Sequence, residues 1–175
     1  MIGRTNWEFF FTGFWLGASQ VSLAFHLLYS QGASVVYYFA LIALWLLGSV
    51  LSLLLLGRAS LGPWLKASCL ALFLASVIAA RTNAFDSLSL ILLVSAIAAF
   101  GLYAGWFLKF SVGGLGDVRA VMLHENNGFI AGYAAGGVLL FFSVVAIDLL
   151  SLFCGCLLLA HGLLRQRENK AQLDS

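Results

Sequence analysis

The chain has 175 residues, 62% of them hydrophobic and 9% charged, with a mean hydropathy of +1.02 and a net charge of +2. Soluble domains carry about a quarter charged residues, so too few are present here to coat a soluble fold, and the expected solvent is lipid. The small net charge, with no basic stripe interleaved with aromatics, argues against nucleic acid as a partner.

Charged residues partition the chain, because each is costly at the centre of a bilayer. None occurs between Glu8 and Arg58, a run of 49 residues. At ~1.5 Å per residue that exceeds one crossing. A break at Ser30-Gln31-Gly32 gives spans near 9–29 and 33–56. Arg4 and the first apolar run loosely imitate a signal peptide, but the run continues to Leu28, and an uncleaved first span is expected. Gly62-Pro63 opens a third span near 63–80, short unless Lys66 and Arg81 snorkel to the interfaces. The 22 uncharged residues between Asp86 and Lys109 make the fourth. The polar interval from Lys109 to Asn127, containing Gly113-Gly114-Leu115-Gly116-Asp117, reads as a loop. Spans near 127–145 and 147–164 follow, reversing at Asp148, which is expected to cap the sixth helix. Residues 165–175 read as a short polar tail.

Six spans with a cytoplasmic N-terminus place Arg4, Arg58, Lys66, Lys109, Arg119, Arg165, Arg167 and Lys170 inside and only Arg81 outside. Eight of nine basic residues inside obeys the positive-inside rule; five spans would leave five against four. The fold class is therefore all-α: one six-helix transmembrane domain over 1–164, with both termini cytoplasmic.

Helices in lipid associate through close packing, so small residues mark contacts. Gly128, Gly132 and Gly136, with Gly137 beside them, form the strongest such face. Gly48 with Ser52, and Gly101 with Gly105, form weaker ones.

Gly13-Phe14 followed by Gln20, then Gly32-Ala33-Ser34, Leu46-Leu47-Gly48 and Gly57-Arg58, resembles the first helical hairpin in the membrane domain of polytopic, fused spermidine synthases. Gly128, Gly132 and Gly137 are similarly spaced to the glycines of that domain's fifth helix. The resemblance implies half of a major-facilitator-like fold and a bacterial inner-membrane location. Gln20 stands where the family usually has an acidic residue, and Glu125 where it usually has Asn. The soluble aminopropyl-transferring domain has no counterpart after Leu164, so no synthase activity is carried over.

No catalytic constellation, cofactor or metal set emerges. His26, His124 and His161 fall at different depths and cannot share a haem. Cys69, Cys154 and Cys156 match neither a disulfide framework nor a zinc pattern and read as packing residues. The polar and ligand candidates are Gln20, His26, Asp117, Arg119 and Glu125. His26 reads as an interfacial anchor, Gln20 as interhelical glue, and the Gly113–Arg119 loop, with an Asp117–Arg119 pairing that could brace helix ends, as a structural hinge resembling a major-facilitator loop motif. The expected function is a non-catalytic subunit, scaffold or anchor of a membrane assembly, partnered by lipid and by other subunits or its own copies. The alternative is a half-transporter for a small solute, working as a homodimer.

Overall fold

The computed structural model describes residues 6–32, 34–56, 61–115 and 118–173. They form six α-helices: α1 (Asn6–Gln31), α2 (Val35–Leu55), α3 (Gly62–Thr82), α4 (Ser87–Leu115), α5 (Val118–Phe142) and α6 (Val144–Leu173). A helix satisfies its own backbone groups, which an apolar surround demands. Local chemistry sets several of the ends. Gly32, at φ +81°, takes the left-handed conformation that terminates α1. The Ser34 hydroxyl accepts from the Val36 N–H at 3.2 Å and caps α2. Pro63 occupies the first turn of α3, where a missing N–H costs nothing.

Helices α2, α3, α4 and α6 are long and apolar enough to cross a membrane. Helices α1 and α5 are as long but less apolar: α1 buries several hydroxyl residues, and α5 carries a buried Glu125 beside exposed Asn126 and Asn127. Over half of the 26 residues of α1 are buried, and it packs against each of the other five helices.

Three boundaries differ from the sequence expectation. The interval from Lys109 to Asn127 is mostly helix: α4 continues through Gly113-Gly114-Leu115, and α5 begins at Val118. His124 and Glu125 are therefore helical residues, and the hinge expected at Gly113-Gly114 lies inside α4. Charges mark where the chain leaves an apolar medium, whereas a hydrogen-bonded helix continues until something stops it. The reversal expected at Asp148 occurs instead at Ser143, the single residue between α5 and α6. The residues after Leu164, expected as a separate tail, extend α6 to Leu173.

Glycines fix two parallel crossings. A Cβ on Gly128 or Gly132 would strike the carbonyl groups of Phe10 or Phe14, and one on Gly13 or Gly17 would strike those of Glu125 or Phe129. Helix α4 meets α2 the same way: Gly101 and Gly105 lie on the carbonyls of Trp45 and Ser49, and Gly48 on that of Ala98. The registers correspond residue for residue. Gly13 and Gly17 of α1 match Gly101 and Gly105 of α4; Gly128 and Gly132 of α5 match Gly48 and the buried Ser52 of α2. The unit α1–α2 is thus repeated as α4–α5, with α1 and α4 running in opposite directions. Gly136 packs on Val21 and Ile147. Gly137 corrects the expectation: it faces open space and belongs to no crossing.

An aromatic core fills the space between α1, α3 and α4. Trp15 lies 5.0 Å from Phe100 and 5.5 Å from Tyr103 between ring centroids, and Phe73 packs on Phe100 from α3. Among the described residues, Lys66, Lys109, Arg119, Arg165 and Arg167 all lie toward the end of the bundle that holds the N-terminus of α1. Arg81 alone lies at the other.

Candidate functional sites

Two places gather polar side chains inside the bundle, on different faces of α1. The first is a charge cluster at the Arg81 end. Asp148, 4% exposed, sits one turn into α6 and faces α1 and α3. Ser22 donates its hydroxyl to Oδ1 at 2.5 Å, and His26 Nε2 lies 3.1 Å from both carboxylate oxygens. Arg81 Nη2 donates to Oδ2 at 2.5 Å. One carboxylate thereby ties three helices together. From α5, the side facing this part of α6 brings Gly136 against Ile147, and no charge.

This arrangement corrects three expectations. Asp148 caps no helix: its oxygens are taken by side chains. His26 is no interfacial anchor, being 2% exposed and turned into the bundle. Lys66, expected to snorkel, is instead buried and donates from Nζ to the Leu158 carbonyl at 3.2 Å. Arg81, also expected to snorkel, does keep its side chain 40% exposed at the end of α3 while bonding to the buried Asp148 carboxylate. Near the same end of the bundle as Lys66, Arg165 pairs with Glu8 at 2.9 Å.

The second place is a cleft of about 350 Å³. Its floor is α1, through Gln20 and Ala24. One wall is α2, with Tyr38, Leu41 and Trp45; the other is α5, with Phe129 and Tyr133. Tyr38 and Tyr133 stand on its opposite walls. Gln20 is half-buried near the middle of α1, and its amide makes no hydrogen bond to any described residue. The cleft exists because the glycine notches draw α5 onto one side of α1 while those of α4 draw α2 away toward α4.

The polar candidates read from sequence therefore separate. Gln20 opens into the cleft and His26 into the charge cluster. Glu125 is buried on α5, its backbone carbonyl against Gly13. Arg119 is exposed at the start of α5. Asp117 lies outside the described residues, and with it any bracing of Asp117 by Arg119. His124 and His161 lie apart from both sites. Sequence reading missed Ser22, Arg81, Tyr38 and Tyr133. The one available signal was Asp148 itself, an ionisable residue within an otherwise apolar stretch, which is a functional-site hypothesis by default.

Set beside protein-family models, curated proteins and solved structures, the chain matches none of them.

Proposed function

We propose that the chain is an integral membrane protein whose six helices all cross the bilayer, and that it works as one half of a transporter for a small solute, paired with a second six-helix unit. The observation that carries this reading is the cleft over Gln20. It lies where the two repeated units meet, between the equivalent helices α2 and α5, and at mid-height of α1. Transporters built from inverted repeats bind their substrates at the repeat interface near the bilayer midplane. The alternating helix directions and the basic residues gathered at one end support six crossings with that end cytoplasmic. The resemblance to the membrane domain of fused spermidine synthases, and through it to half of a major-facilitator fold, supports the same arrangement in a bacterial inner membrane. Fold analogy alone does not assign a function; the position of the cleft is what favours transport.

A second reading, a non-catalytic subunit or scaffold, is favoured by a different observation. Asp148 is fully satisfied by Ser22, His26 and Arg81, and the glycine crossings lock backbone to backbone, as a rigid platform requires.

A thermal-shift screen of small solutes on the purified protein separates the two. Half-transporter function predicts a solute that raises the melting temperature in the wild type and loses that effect in Gln20→Leu. The scaffold predicts no such solute, and recovery of a distinct membrane partner by gentle-detergent purification.

A further inference from the structure

The chemistry of the cleft defines what it takes. No charged side chain lines it, and the cations of the bundle are held elsewhere: Arg81 by Asp148, Lys66 at the Leu158 carbonyl, Lys109 at the Leu53 carbonyl. An ion placed there would be desolvated with nothing to pair with, at a cost of several kcal/mol or more. Rings line both walls: Tyr38 and Trp45 on α2, Phe129 and Tyr133 on α5. Such walls favour a flat body, through stacking and edge contacts. The volume, about 350 Å³, falls at the small end of the range for single small molecules and is too narrow for a helix. Besides the Tyr38 and Tyr133 hydroxyls, its polar element is the Gln20 amide on the floor, with a donor and an acceptor to offer and no described partner for either.

We infer that the cleft binds a small, uncharged, flat molecule carrying one hydrogen-bonding head, with the head on the Gln20 amide and the body between the aromatic walls of α2 and α5. This rests on the transporter reading for the role of the cleft but adds the class of its ligand. Tyr38 and Tyr133, each over two-fifths exposed, form its rim. A molecule of this class reaches the rim either from water or dissolved in the bilayer.

The test uses the full chain in lipid nanodiscs and 1-naphthol, an uncharged flat alcohol, as probe. 1-Naphthoate and 1-naphthylmethylammonium supply the same rings with a negative or a positive charge. Binding is read from quenching of tryptophan fluorescence, Trp45 being in the wall, and from the melting temperature. Expected are saturable quenching and a raised melting temperature with 1-naphthol, and at least tenfold weaker binding of both ions. Gln20→Leu is expected to weaken 1-naphthol about tenfold, as loss of one hydrogen bond of ordinary strength would. Should Gln20→Leu fail to fold, Phe129→Ala replaces it with the same expectation. Equal binding of either ion would overturn the uncharged class while leaving a solute site in place. Folded variants that bind 1-naphthol like the wild type would remove the cleft as its site, and saturable binding of none of the three would remove both this inference and the cleft's part in transport. Stopped-flow mixing identifies the source: quenching that precedes uptake of 1-naphthol into protein-free lipid marks binding from water, and quenching that follows that uptake marks binding from the bilayer.

Discussion

Replacing Gly132 by alanine adds one methyl group at the tightest part of the α1–α5 crossing. The new carbon would stand 2.7 Å from the carbonyl carbon of Phe14 and 2.8 Å from its Cα, with the carbonyl oxygen nearer still. Carbon atoms rest at about 3.5–4.0 Å, so the helices must part by on the order of 1 Å. Both sides of the contact are backbone, and no flexible side chain is there to yield. Overpacking of this kind costs about 1–3 kcal/mol, and the higher helix propensity of alanine returns about 1 kcal/mol. A net loss of up to about 2 kcal/mol corresponds to a drop of up to roughly 8 °C in Tm for a chain of this size. Gly137 is the control, because nothing lies within 4 Å of a Cβ built there; Gly137→Ala should leave Tm unchanged or raise it. The assay follows the monodisperse fraction of a detergent-solubilised fluorescent fusion after heating. If Gly132→Ala melts with Gly137→Ala at or above the wild type, the crossing does not exist as described.

Arg81→Ala should destabilise more than Asp148→Asn, because it strands a buried carboxylate while the reverse change frees an arginine that reaches solvent. The difference should be about 1–3 kcal/mol after allowance for screening at Arg81, and the double variant should recover part of the loss; equal effects with simple additivity would show that the two do not interact. Lys66→Met keeps the length of the side chain and removes a buried charge, so it should be neutral or stabilising within about 1 kcal/mol in the same melting assay. A loss well above about 1 kcal/mol there would mean that the ammonium's contacts, the Leu158 carbonyl and the Tyr103 ring at 6.0 Å among them, outweigh the cost of burying it. For topology, a reporter active only in the cytoplasm should work when fused after Ser175 and stay silent in the turn around Asn83–Asp86; the reverse pattern would refute the orientation, and the same result at both positions would refute the sixth crossing.

Much of the architecture was legible from where charges are missing. The spans assigned to α2, α3, α4 and α6 follow from long apolar runs with few charges, and the glycine steps pointed to a contact face on α5. Helix ends were harder, since nothing near Gly113-Gly114 obliges a helix to stop and no Gly or Pro marks the turn at Ser143. The charge cluster was illegible for a different reason. Ser22 and His26 lie 126 and 122 residues from Asp148 in sequence, and only the packing of α6 between α1 and α3 brings them together. Gly136 and Gly137 are neighbours with opposite roles because adjacent helix positions point about 100° apart, and the sequence does not say which faces the neighbour.

The crossing of α1 with α5 also sets a timetable for synthesis. The notches at Gly13 and Gly17 are made early, but their occupants, around Glu125 and Phe129, emerge more than a hundred residues later. At roughly 5–20 residues per second, the glycine-notched face of the first helix waits on the order of ten seconds for its cover. Helix α5, joined to α6 through Ser143 alone, has no slack to arrive separately, so the two must dock as a hairpin. During that interval His26 and Ser22 also lack Asp148. The nascent chain is therefore most exposed to mispairing and to quality-control proteases after α4 is complete and before the final hairpin closes. Slowing translation between α4 and α6 should lower the yield of this protein more than slowing it anywhere earlier.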